Sequence, residues 1–285
     1  MKKRLIAGLL VGAMAVSLSG CGASKTEEDP AAGDSAAEET AEAEPVTLNV
    51  FAAASMTETL TEIQEMYKDV APNVTLVFNF DSSGTLKTQI QEGADCDLFI
   101  SAAQKQMNQL DKDADLEVNT EELDDVLEGT RVNLLENKIV LAVPDGNPKN
   151  IESFEDLGTD RLSLLALGNE DVPVGQYSTE ILTNLGILDS LEAEGKITYG
   201  SNVKEVTTQV SEAAADAGII YATDAFSAGL TVVDQAEGDL CKQVIYPAAV
   251  LNISRNPEAA KEFLAYLQTD TCMQVFEAVG FTAAE

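Results

Sequence analysis

No histidine occurs in the 285-residue sequence, and Lys and Arg number 17 against 49 Asp and Glu, a formal net charge of −32. The first absence removes the commonest metal ligand and the usual general base. The second argues against nucleic acid as a partner, because its phosphates would be repelled. Cysteine is scarce as well: apart from Cys21 only Cys96, Cys241 and Cys272 occur, an odd set without metal-like spacing that allows at most one internal disulfide. Small apolar core residues are the simpler reading of these three. No apolar run in the chain is as long as a membrane span.

What is present begins with a leader. Lys2, Lys3 and Arg4 precede an apolar stretch from Leu5 to Val16, and the chain then reaches Leu18-Ser19-Gly20-Cys21. The stretch fits a secretion signal over residues 1–20. The four residues ending at Cys21 resemble the bacterial lipoprotein processing box, which implies cleavage before Cys21 and acylation of that cysteine. From Gly22 to Pro45 the chain has no aromatic residue and no aliphatic one larger than Ala. It has nothing to bury, so residues 21–45 are expected to be an acidic, disordered tether. The protein then hangs from the membrane surface on a lipid. Of the total charge, −28 falls on the body after residue 45, so any attraction of an anion has to be local.

The body starts with alternating strand and helix patterns. Val46–Ala53 is β-like, and Met56, Leu60, Ile63 and Tyr67 recur at helical spacing behind Ser55. Val74–Phe80 alternates like a strand, Leu86–Glu92 reads as a helix, Asp97–Ser101 as a buried strand and Gln104–Leu110 as the start of another helix. This βαβαβα order indicates a parallel sheet covered by helices. Asn133–Val143 is the first candidate crossing into a second lobe. There, Leu162–Leu167 reads as a strand, Gln176–Leu185 as a helix, Val203–Ala214 as a helix, Gly218–Tyr221 as a strand and Asp224–Ala228 as a helical turn. Val244–Ile253 would bring the chain back, and two helices close it, the first with Asn256 as cap and Pro257 as first residue. The expected fold class is α/β with two lobes and two crossing strands as hinge: residues 46–138 and 247–285 in lobe 1, and 139–246 in lobe 2. A ligand then belongs between the lobes, where strands end and helices begin.

Basic residues are sparse near these strand-to-helix turns. Neutral donors are not: Ser55, Ser82, Ser83, Thr85 and Tyr221 stand there, as do the turns before residues 174–177 and 203–206. Each helix start offers roughly half a unit of positive charge, so several aimed at one point could hold a dianion without Lys or Arg. Ser55 and Ser83 could equally be helix caps, and Tyr221 an ordinary half-buried tyrosine.

Six segments in order carry a family resemblance: Phe51-Ala52-Ala53-Ala54-Ser55, Phe80-Asp81-Ser82-Ser83-Gly84-Thr85-Leu86, Asp97-Leu98-Phe99-Ile100-Ser101-Ala102, Val172-Pro173-Val174-Gly175-Gln176-Tyr177, Gly218 to Ala225, and Tyr246-Pro247-Ala248-Ala249-Val250. Together they resemble the molybdate-binding proteins of bacterial ABC importers over residues 46–281. The resemblance implies a periplasmic-binding-protein-like fold. It also implies a cleft in which molybdate or tungstate receives hydrogen bonds from the hydroxyls of Ser55, Ser83 and Tyr221 and from the backbone N–H groups of Val174 and Val203. The implied partners are the oxyanion and an ABC permease; no cofactor and no metal as a free cation are expected, and the protein would act as a monomer. Asp81 departs from the pattern, standing where a small neutral residue is expected, and should point to solvent or cap the helix near Ser83. The acidic segment from Asp111 to Glu128 reads as a solvated face.

A cavity with donors only favours a fully deprotonated oxyanion, since a ligand proton would face another donor. Molybdate, tungstate and sulfate meet that condition. A receptor for sulfate or another oxyanion, a sensor lipoprotein without transport, and an enzyme on the same scaffold are the alternatives.

Overall fold

The computed structural model describes residues 44–284. The expected signal, Cys21 and the tether up to residue 43 lie outside the described residues. No helix among the described residues is long and apolar enough to cross a membrane.

The first sheet is built from β1 (Val46–Ala53), β2 (Val74–Asp81) and β3 (Leu98–Ile100), all parallel, with α1 (Thr57–Val70), α2 (Ser83–Gln91) and α3 (Gln104–Asn108) following them in turn. Alternation decides which helices cover which face. Leu48, Val50 and Ala52 point to the side where Leu60 and Ile63 of α1 lie. Phe51 and Phe99 point to the other, against Leu86 and Ile90 of α2 and Met107 of α3. β4 (Val132–Asn137) joins this sheet, and after the single residue Lys138 the chain continues as β5 (Ile139–Val143) in a second sheet.

The second lobe contains β6 (Leu165–Gly168), α4 (Pro173–Asn184), α5 (Leu188–Ala193), β7 (Ile197–Gly200), α6 (Val203–Ser211), β8 (Ala217–Tyr221), α7 (Ala222–Ala228) and β9 (Thr231–Gln235). Its sheet runs β7-β6-β8-β5-β9. The return is β10 (Val244–Val250), followed by α8 (Pro257–Leu267), α9 (Asp270–Ala278) and the short β11 (Thr282–Ala283). The first sheet thus has the order β11-β4-β10-β3-β1-β2. β10 pairs with β4 from Val244 onward, so Val244–Tyr246 sit in the first sheet, ahead of the expected boundary at 246/247.

Several local expectations shift. β6 starts three residues later than the apolar run suggests, because the chain turns between Thr159 and Leu162. α4 starts at Pro173, which fills its first position without needing an N–H. Asn256 precedes α8 but makes no side-chain cap, and its amide donates to the Thr47 carbonyl instead. The acidic segment is only partly a solvated face. Asp111 is buried and accepts from Arg131 Nη1 at 2.6 Å, and burial, then Asp124, raises the pKa of Asp125. Cys96, Cys241 and Cys272 are free thiols.

Candidate binding site

In-register pairing sets Ala53 beside Asp81, and Ala52 beside Ile100, so the turns after the three parallel strands share one edge. In the second sheet Gly168 lies beside Gly200, and β8 ends at Tyr221. The two edges meet around a small cavity. The first lobe lines it with Ala53, Ala54, Ser55, Asp81, Ser82, Ser83 and Ala102, the second with Val172, Pro173, Val203 and Tyr221. The cavity volume is about 10 Å³, on the order of a single water site.

Four of the five expected residues, Ser55, Ser83, Val203 and Tyr221, therefore line one cavity. Val174 is the second residue of α4, directly behind Pro173.

Hydrogen-bond bookkeeping shows what each helix start leaves over. In α4, Pro173 has no N–H, and Gly175 and Gln176 both donate to the Val172 carbonyl. Val174 keeps the one free N–H of that turn. In α2, Thr85 N–H goes to Ser82 Oγ and Gly84 N–H to the Asp171 carbonyl, which leaves Ser83. In α6, Asn202 caps Glu205 N–H at 3.1 Å, leaving Val203 and Lys204. A glycine at 175 is required here, since a Cβ would collide with the carbonyls of Gly168 and Asn169.

Neither serine is a cap. Ser55 lies in a 3-10 turn before α1, and its Oγ is 2.9 Å from Tyr246 Oη. Ser82 caps α2, while Ser83 Oγ accepts the Ala102 N–H at 2.9 Å. Tyr221 is fully buried and its hydroxyl has no hydrogen-bond partner. Burial, with the nearby Tyr246 phenol adding to it, raises its pKa well above the ordinary value, so it stays a donor.

Among the described residues the lining includes no Lys or Arg; its one formal charge is Asp81. Rather than pointing to solvent, Asp81 accepts Ser82 N–H at 2.7 Å and faces Asn202 Nδ2 across the cleft at 3.4 Å. Lys204, next to the lining residue Val203, is engaged elsewhere. It donates to Glu58 of α1 at 2.7 Å and lies 3.1 Å from Asp224 Oδ1, close but not aligned as a hydrogen bond. Burial opposes its charge, yet Asp224 and Glu58 outweigh that and raise its pKa. Asp224 is fully buried and its pKa is pushed up to about 6, burial raising it and Lys204 pulling it back.

A cleft between two α/β lobes, lined by hydroxyls and helix starts, defines a solute receptor. The chain belongs to the bacterial extracellular solute-binding protein family, whose model matches residues 48–282. It is 38% identical to YvgL of Bacillus subtilis, provisionally named an ABC transporter substrate-binding lipoprotein, over 84% of this chain and 87% of that one. It is 34% identical to the molybdate-binding protein ModA of Haemophilus influenzae, over 83% of this chain and 90% of that one. A solved substrate-binding domain from Clostridium difficile, provisionally assigned to a molybdenum ABC transporter, is 36% identical and superposes with a TM-score of 0.62, covering 84% of this chain and 100% of that one.

Sequence reasoning gives no role to Glu58, Asn137, Lys204, Asp224 or Tyr246. Only Asp224 and Tyr246 fall within the quoted segments, and neither carries a mark of its contacts, because those contacts form between distant parts of the chain.

Proposed function

We propose that the protein captures molybdate or tungstate outside the cytoplasm and delivers it to an ABC permease. The observation that carries this reading is a cavity lined by Ser55, Ser83, Val203 and Tyr221 with leftover helix-start N–H groups beside it; in this reading those four and the Val174 N–H form the ligating set. Two relatives named for molybdate binding are 34% and 36% identical to it. A dianion held by dipoles needs no cation, and a protonated one would lose a bond. In this reading the protein is a monomer that performs no catalysis. It is anchored by acyl chains on Cys21, which is supported by Leu18-Ser19-Gly20-Cys21 and by the lipoprotein name of YvgL. The moving bodies are residues 46–138 with 247–285 against 139–246, less the stretch Val244–Tyr246 that pairs in the first sheet.

Isothermal calorimetry and thermal denaturation against molybdate, tungstate, sulfate and phosphate test this. Binding of molybdate or tungstate should raise Tm, because a ligand stabilises the form that binds it. A preference for sulfate would move the protein to another oxyanion, and no response to any of the four would end the reading.

A further inference from the structure

The hydroxyl of a serine can donate or accept, so a row of hydroxyls does not by itself make a pocket that only donates. At Ser55 the surroundings decide. Asn137 is the last residue of β4, next to the crossing at Lys138. Its Oδ1 accepts Lys138 N–H at 2.8 Å, which turns its Nδ2 toward Tyr246 Oη at 3.2 Å and Thr223 Oγ1 at 2.9 Å. The buried Tyr246 oxygen thus accepts a hydrogen bond from Asn137. Its own single proton has Ser55 Oγ as hydrogen-bond partner, at 2.9 Å. Leaving a buried donor unmade is costly, so Tyr246 donates and Ser55 accepts. The Ser55 proton is then free to point into the cavity.

We propose that Asn137 and Tyr246 are positioning residues that fix the direction of the Ser55 hydrogen bond, so that Ser55 offers no acceptor to an oxyanion bearing a proton. Ser83 is polarised in the same sense by Ala102 N–H. The inference rests on the oxyanion reading of the site. It adds that specificity is set one layer behind the ligand, at the hinge crossing that carries Asn137.

The test compares sulfate with hydrogen phosphate at mildly alkaline pH. The two are close in size and carry the same charge, and differ by one proton. Wild-type protein should favour sulfate. Tyr246→Phe releases Ser55 to accept. Asn137→Asp goes further, because a carboxylate would accept the Tyr246 hydrogen bond and leave Tyr246 to accept from Ser55. Calorimetry on both variants, repeated with Asp81→Asn to remove the one formal charge in the lining, should show the sulfate-to-phosphate ratio narrowing by about tenfold or more. Circular dichroism melts of the ligand-free variants check that they fold, and either variant alone suffices. If both lower sulfate, phosphate and molybdate affinity in equal proportion, or if neither folds, Asn137 and Tyr246 are packing residues and the inference fails. Wild-type protein that binds no oxyanion would instead bring down the reading beneath it.

Discussion

Gly84 of the first lobe and Asp171 of the second meet backbone to backbone: the Gly84 N–H donates to the Asp171 carbonyl at 3.1 Å. A Cβ on Gly84 would run into that carbonyl oxygen, far inside van der Waals contact. The clash exists only while the lobes are closed, so Gly84→Ala should leave the stability of the open, ligand-free form nearly unchanged. Affinity should fall by roughly tenfold or more, since each 1.4 kcal/mol of obstructed closure is a factor of ten. Calorimetry and a melt of the ligand-free protein separate the two effects. An equal loss in both would place the damage in α2 rather than at the lobe contact.

Ser55→Ala, Ser83→Ala and Tyr221→Phe each delete one hydroxyl at the cavity. A hydrogen bond to a charged partner is worth about 1.5–3 kcal/mol, so each substitution should weaken molybdate binding by roughly tenfold to a hundredfold. Tyr221→Phe should be neutral or stabilising without ligand, because it removes a buried hydroxyl that has no partner. A melt showing Tyr221→Phe strongly destabilised would mean that the hydroxyl has a structural partner.

The strand and helix order of the first sheet is legible because Leu48, Val50, Leu60, Ile63 and the glycine-bearing turn at Gly84 obey simple periodicities. The cavity residues are legible for a related reason, since strand ends and helix starts coincide with the turns at Ser55, Ser83 and Val203. What local pattern cannot supply is partnership. Ser55 looks like a cap, yet it bonds to Tyr246, 191 positions away. Asp111 looks solvent-facing, yet Arg131 pairs with it. Val174 carries no mark of a role in its side chain, because what it offers is a spare backbone N–H at the second position of α4.

Asp81 sets a discriminating experiment. Its carboxylate lines the cavity and should repel a dianion, while a protonated anion could donate to it. Asp81→Asn keeps an acceptor for Ser82 N–H and removes the charge. Molybdate affinity should rise by roughly tenfold at low salt, and the gain should shrink as salt screens it. Hydrogen phosphate, equally charged but able to donate to the carboxylate, should gain less. Titrations at two ionic strengths that show no change for either anion would put the carboxylate outside the ligand's reach.

The pKa of Asp224, beside Lys204, shifts in the direction opposite to that of most carboxylates. Asp224 titrates near 3.8 when exposed and at about 6 in the folded protein. Between those values the native state holds the proton more tightly, so this group's contribution to stability falls as pH rises through the window. Above it the full cost stands, about 3 kcal/mol for a shift of this size. Asp224→Asn should therefore gain stability relative to wild type as pH rises from about 4 to 6, with no further change above. Lys204→Met acts in reverse, because it strips the buried carboxylate of its counter-charge and should cost about 3–5 kcal/mol near neutral pH. It should also cut the Glu58 contact that joins α6 to α1 across the cleft, so its melt should recover at low pH while its affinity does not. Urea denaturation of both variants across pH checks the pair. A flat difference between Asp224→Asn and wild type would show that Lys204 already neutralises Asp224 in full.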